Sequence, residues 1–169
     1  MPAASSNTVY IAFGANKGDV KKNIAAAVAG LEAFGSVEKI SPLFITEPEG
    51  FKGQPDFTNG ALEFKTALAP QDLLRALKDI ETRLGRGPAP ANGPREIDLD
   101  IIFYNSQTVQ TPRLTIPHPR AHEREFVLLP LSFIAPDFTH PITGLSVGQM
   151  LRAVIRAKYP AHNSAYVKN

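Results

Sequence analysis

Ile97-Asp98-Leu99-Asp100-Ile101-Ile102-Phe103-Tyr104 is the stretch that settles how this chain folds. It is apolar apart from two aspartates and reads as a largely buried strand. Strand side chains alternate, so Asp98 and Asp100 share one face and Ile97 and Leu99 share the other. Two carboxylates side by side in an apolar strand repel each other and are costly to desolvate. A cation must offset them. It can be arginine, or a divalent metal held by both carboxylates, and the strand can also lie at a wet sheet edge. D-x-D spacing alone does not choose.

Upstream of this strand the apolar periodicity switches between two kinds. Residues 9–13 form a short apolar run that ends at Gly14 and reads as a strand. A turn over 14–19 follows, with Asp19 placed to cap a helix carrying Ile24, Ala27, Val28 and Leu31 and ending by Gly35. Residues 37–46 read as a second strand, 47–56 as a Pro/Gly loop, and 57–66 as a third strand. Pro70 opens a helix whose apolar stripe is Leu73, Leu74, Leu77, Ile80 and Leu84. A second loop, 85–94, leads into 97–104. The order is β-α-β-β-α-β, so the expected class is α+β with a ferredoxin-like sheet. A Pro-rich stretch and helices near 124–133 and 147–157 then form a C-terminal helical extension. The expected layout is a tail at 1–7, a single domain over 8–157, and a tail at 158–169.

The whole-chain numbers agree with one globular unit. There are 169 residues, 43% hydrophobic and 20% charged, with net charge +2. So small a charge gives no support for a nucleic-acid or membrane partner. No apolar run approaches the ~20 residues of a membrane helix. Cysteine is absent, which excludes disulfides, thiolate metal sites and a Cys nucleophile, and fits a cytoplasmic location. Fifteen prolines and 12 glycines cluster between the elements, so the connections are stiff.

Five of the nine arginines lie between positions 86 and 124: Arg86, Arg95, Arg113, Arg120 and Arg124. Guanidinium is planar, forked and permanently charged, which suits phosphate oxygens. Scattered surface charge is the plainer alternative, but these arginines flank prolines and glycines. His118, between Pro117 and Pro119, is held on a rigid segment, either as a structural histidine or as a donor to phosphate. Residues 14–18 lack the G-K-[ST] of a P-loop, so nucleotide binding needs another device. Phe57 and Phe126 are either core residues or two plates around a flat heterocycle, with Thr46 and Asn59 bonding to its edge.

Four stretches carry a resemblance. They are Tyr10-Ile11-Ala12-Phe13-Gly14-Ala15-Asn16-Lys17-Gly18-Asp19, then Gln54-Pro55-Asp56-Phe57-Thr58-Asn59, then Gly93-Pro94-Arg95-Glu96-Ile97-Asp98-Leu99-Asp100-Ile101, and last Ile116-Pro117-His118-Pro119-Arg120 running on to Arg124-Glu125-Phe126-Val127-Leu128-Leu129-Pro130-Leu131. Over residues 8–152 the chain resembles the 6-hydroxymethyl-7,8-dihydropterin pyrophosphokinases of folate biosynthesis. The resemblance implies transfer of the β,γ-diphosphate of ATP to the pterin hydroxymethyl oxygen, with release of AMP. It implies Asp98 and Asp100 as ligands of two Mg²⁺ ions, and Arg86, Arg95, His118 and Arg124 at the phosphates. It implies Phe57, Phe126, Thr46 and Asn59 around the pterin. It implies Leu74, Lys78, Ile101, Arg113, Thr115 and His118 around the nucleotide.

It also implies that ATP and the pterin are the partners, and that fusion to other folate enzymes is an option. Three features depart from the family pattern. The loop 87–92 is short and uncharged, Lys78 replaces a neutral side chain, and Glu47 and Glu49 add acid to the first loop. A ferredoxin-like RNA-binding module is the alternative. It would need exposed aromatics on the sheet, with Tyr10 and Phe13 as candidates, and no carboxylate pair facing a phosphate backbone.

Overall fold

The computed structural model describes residues 6–50, 52–87 and 93–160. Residues 1–5 and 161–169 of the expected tails lie outside the described residues, as do 88–92 of the uncharged loop.

The elements follow the expected order: β1 (Asn7–Ala15), α1 (Val20–Leu31), β2 (Ser36–Ile40), β3 (Phe44–Thr46), β4 (Phe57–Thr66), α2 (Pro70–Arg83) and β5 (Asp98–Tyr104). The Asp19 carboxylate accepts the Lys22 N–H and starts α1, and Pro70 occupies the first turn of α2. The sheet runs β2-β4-β1-β5 with every pairing antiparallel. That is the ferredoxin-like order, because each helix carries the chain over one strand position before it returns.

One element differs from expectation. The run 37–46 is not a single strand but two, β2 and β3, which both pair with β4. Ser41 breaks it. The Ser41 N–H donates to the Ala61 carbonyl at 2.9 Å, while the Ala61 N–H donates to Ser41 Oγ at 2.9 Å instead of to a backbone carbonyl. Pro42 then has no N–H to continue the ladder. The kink re-aims β3 so that Thr46 pairs with Phe57 and Phe44 with Asn59. Likewise α1 stops at Leu31, ahead of Gly35; a Cβ on Gly35 would meet the Lys65 carbonyl oxygen at 2.1 Å, so close passage is what this glycine serves.

Both sheet faces are covered. Val9, Ile11 and Phe13 of β1 pack with Ile24 and Leu31 of α1 and with Leu73 and Leu77 of α2. Tyr10, Ala12, Ile102 and Phe103 pack on the opposite side against Leu128 and Leu131 of α3 (Glu125–Ile134) and Met150 of α4 (Val147–Lys158). Ser146 and Gln149 form a capping box that starts α4. Tyr10 is 7% and Phe13 3% exposed, so neither aromatic is open to stack a base. The RNA-module alternative loses its surface on that account. Between β5 and α3 lie a short hairpin, β6 (Val109–Gln110) with β7 (Thr115–Ile116), and a 3-10 turn over Ala121–Glu123.

Candidate active site

β5 is the last strand of the sheet, and its register sets the carboxylates beside the smallest residues of β1. Asp98 pairs with Gly14 and Asp100 with Ala12, which leaves space over them. Ile97 and Leu99 point the other way and are 0% and 1% exposed, as alternation requires.

Two cavities meet over this pair. The first is lined by Thr46, Phe57, Asn59 and Phe126 toward one end and by Arg95, Asp98, Asp100, His118 and Arg124 toward the other. The second is lined by Leu74, Lys78, Ile101, Arg113 and Thr115, again with Asp100 and His118. Every residue that the resemblance placed at the site therefore lines one of two adjoining cavities, except Arg86, which is bonded to Asp98. Arg120 of the arginine cluster lines neither and pairs instead with Glu49 and Glu123. Phe57 and Phe126 are half-buried cavity walls, not sealed core residues. Between them, Asn59 Nδ2 donates a short bond to Thr46 Oγ1. Gly14 makes room for that amide, because a Cβ there would lie 2.6 Å from Asn59 Oδ1.

The cations are arranged around Asp98. Arg86 Nη1 donates to Oδ1 at 2.9 Å, and Arg95 Nη1 lies 3.1 Å from Oδ2. Asp100 pairs with no arginine in this way. Burial, first, and the charge of Asp98, second, push its carboxyl up to about 7, against the opposing pull of Lys78. Lys78 and Arg86 offset its charge only in part.

His118 is fixed by its backbone and its ring. Its N–H donates to the Ile102 carbonyl at 3.0 Å, which ties the segment to β5. Its Nδ1 accepts the Arg120 N–H at 3.2 Å, which leaves the proton of the neutral ring on Nε2. Burial, reinforced by the Arg124 charge, lowers its pKa and keeps the ring neutral.

Arg124 precedes α3, with its guanidinium 5.3 Å from the centre of the Phe126 ring. Among the described residues its buried Nε makes no hydrogen bond, and its contact there is an ion pair with Glu49 Oε2 at 3.5 Å. Glu49 also receives Arg120 Nη2 at 3.0 Å.

Four residues of this region escaped sequence reasoning: Glu49, as a partner of the arginines, and Asn16, Gln54 and Glu81. Asn16 Nδ2 donates to Gln54 Oε1 and to the Pro55 carbonyl, both at 2.9 Å, and so pins the first loop. Glu81 is 3% exposed and accepts the Leu99 N–H at 2.8 Å. Its signal was present: it lies four residues after Leu77, on the apolar side of α2, where an acid has to find buried partners.

Fold and arrangement define a class first: a ferredoxin-like α+β protein with a carboxylate–arginine cluster where two cavities join. Within that class, the model of the family described as 7,8-dihydro-6-hydroxymethylpterin-pyrophosphokinase matches residues 10–136, and the chain belongs to this family. It is 42% identical over 135 residues to the 2-amino-4-hydroxy-6-hydroxymethyldihydropteridine pyrophosphokinase of Aquifex aeolicus, covering 80% of this chain and 84% of that protein. It is 44% identical over 147 residues to the folic acid synthesis protein FOL1 of Dictyostelium discoideum, covering 87% of this chain but only 22% of that much longer protein. Among solved structures, Plasmodium falciparum HPPK-DHPS superimposes with a TM-score of 0.72 at 15% identity, over 94% of this chain and 47% of that one, and so supports the fold. No described helix is long and apolar enough to cross a membrane.

Proposed function

We propose that this chain transfers the β,γ-diphosphate of ATP to the hydroxymethyl oxygen of 6-hydroxymethyl-7,8-dihydropterin, yielding the pterin diphosphate and AMP, as a cytoplasmic step of folate biosynthesis. One observation carries the assignment. Two cavities of different chemistry, one walled by phenylalanines and one by aliphatic and cationic side chains, meet at Asp100 and His118. A donor and an acceptor bound in them would bring their reacting ends together there.

The pterin ring fits between Phe57 and Phe126, with Asn59 and Thr46 at its edge. The base and ribose fit the second cavity against Leu74 and Ile101, with Lys78, Arg113 and Thr115 as polar contacts. The residues also fit divalent metal. Two hard carboxylate oxygens, one of them short of a cation, leave the other coordination positions to phosphate oxygens and water, as Mg²⁺ prefers. Asp98 and Asp100 would hold two Mg²⁺ ions, which when bound supply charge neutralisation and a template for the triphosphate.

The rest follows from the chain itself. The hydroxymethyl oxygen forms a bond to the β-phosphorus, the bond from that phosphorus to the α,β-bridging oxygen breaks, and the hydroxyl proton passes to water. Charge moves onto the bridging oxygen of AMP. His118 Nε2–H and the Arg86 and Arg95 guanidiniums are donors placed to receive it, and Arg124 Nε, which makes no hydrogen bond, is a further donor. Arginines anchored on stiff loops spend little reorganisation in doing so.

The test is AMP formation from ATP in the presence of the reduced pterin and Mg²⁺. AMP released only when all three are present supports the assignment. ADP as product, or turnover that ignores the pterin, would defeat it.

A further inference from the structure

Glu81 is a buried carboxylate that the diphosphate transfer does not use directly. It stands on α2 with its side chain 3% exposed. Its two oxygens do separate things. Oε1 accepts the N–H of Leu99, the residue between the two aspartates, at 2.8 Å. Oε2 accepts Arg86 Nη1 at 2.6 Å. Lys78 Nζ stands 3.3–3.4 Å from both.

Arg86 is attached to the same residue twice. Its N–H donates to the Glu81 carbonyl at 3.1 Å, a bend that Gly85 permits at φ +99°. Arg86 Nη1 therefore bridges two carboxylates, Glu81 and Asp98. With Arg95 on its other oxygen, Asp98 carries an arginine on each oxygen. A cation that binds Asp98 competes with both arginines for its oxygen lone pairs. If Arg86 had no second partner, displacement would strand a charge at a site where its side chain is only 24% exposed.

We propose that Glu81 is a positioning residue for this site: it retains Arg86 when a divalent cation takes Asp98, and it holds the Leu99 peptide so that Asp98 and Asp100 keep their spacing. Arg86 then turns about a fixed anchor from the carboxylate toward phosphate. The proposal rests on the assignment of Asp98 and Asp100 as metal ligands. It predicts that Glu81 tunes metal affinity through Arg86, which a mere structural brace would not do.

The test uses the full chain with Glu81→Gln, Arg86→Ala and the double variant. Gln keeps an acceptor for Leu99 but loses the charge that holds Arg86. Two quantities are read. One is the Mg²⁺ concentration that half-saturates thermal protection by a non-hydrolysable ATP analogue. The other is kcat for AMP formation. In E81Q, Arg86 falls wholly on Asp98, so half-saturating Mg²⁺ should rise about tenfold, as for the loss of one charged hydrogen bond. The pterin KM should stay within about twofold, since the pterin end is remote from Glu81. In the double variant Arg86 no longer competes, and the Mg²⁺ requirement should return to near that of the parent while kcat stays low.

An unchanged Mg²⁺ requirement in E81Q overturns the proposal, and so does a double variant no better than E81Q. So does a lower melting temperature with unmoved Mg²⁺ dependence, because that is a brace only. If E81Q does not fold, Glu81→Asp carries the test: its shorter arm cannot reach both Leu99 and Arg86, and the shift must have the same direction. If the parent itself shows no Mg²⁺-dependent protection, the metal assignment fails and this proposal with it. A parent that responds while E81Q matches it overturns the proposal alone.

Discussion

Asn16 and Arg95 are bonded in both directions: the Arg95 N–H donates to Asn16 Oδ1 at 2.8 Å, and the Asn16 N–H donates to the Arg95 carbonyl at 3.0 Å. The Asn16 amide is at the same time bonded to Gln54 and Pro55. One buried side chain at the end of β1 thus ties the loop before Phe57 to the loop before Asp98. The Phe57 wall of the first cavity and Arg95 beside Asp98 are set by the same residue.

Replacing Asn16 with Ala should therefore weaken both ends of the site. It leaves the Arg95 N–H without this partner, at a cost of about 1–3 kcal/mol, and takes one hydrogen bond from Gln54, worth about 1 kcal/mol more. A fall in melting temperature of at least ~4 °C is expected for a chain of this size. Calorimetric titration should show reduced affinity for pterin and for an ATP analogue alike. A loss confined to one ligand would mean that the two loops are set independently.

Phe126→Ala should act at the pterin end alone. A flat ring losing one stacked face forfeits about 1–3 kcal/mol, by analogy with base–aromatic stacking. Titration should show a pterin dissociation constant raised roughly tenfold or more, with ATP-analogue binding little changed. Equal losses for both ligands, with a large drop in melting temperature, would make Phe126 a core residue.

Gly14→Ala tests how Asn59 is seated. The added methyl would occupy space 2.6 Å from Asn59 Oδ1, so the amide must move and its bond to Thr46 must break. Pterin affinity should fall about tenfold, near the worth of one hydrogen bond plus the displaced contact. The melting temperature and pterin titration of G14A should be read together. Unaltered pterin affinity would show that the Asn59 amide takes no part in binding the ring.

The order of the elements was legible because each apolar period is bounded by a strong turn or cap signal. The carboxylate pair, its facing and the arginines around it were legible too, since strand alternation and charge do not depend on tertiary detail. The split of 37–46 was not. It depends on Ser41 Oγ replacing a backbone acceptor, a contact with Ala61 twenty residues away. Nor could the sequence say that Phe57 and Phe126 face a cavity, since buried phenylalanine is the ordinary outcome. Nor were the ion-pair partners legible. Asp98 invites any of five arginines, and only the folded chain selects Arg86 and Arg95, with Glu81 bonded to Arg86.

His140 provides a pH prediction away from the site. It is 4% exposed, and its Nδ1 accepts the N–H groups of Ile142 and Thr143, both at 3.1 Å. Burial, with the nearby His122 charge, lowers its pKa below 6.5. The folded chain thus binds this proton less readily than the unfolded chain. The contribution of His140 to stability is full above about pH 6.5 and is lost as the pH falls from there through the lower folded value. Urea unfolding at pH 7.5 and 5.5 should show a smaller loss in His140→Asn, whose Oδ1 can accept without titrating. An identical loss in both proteins would place the titrating group elsewhere.

The central claim is that the two aspartates of β5 carry a metal-dependent transfer where the two cavities meet. The most direct measurement is kcat for pterin-dependent AMP formation in Asp98→Ala and Asp100→Ala, with the melting temperature as a control for folding. Loss of metal charge stabilisation is worth several kcal/mol, so kcat should fall by at least ~10³ in each while the fold survives. Activity within tenfold of the parent in either variant would contradict the account.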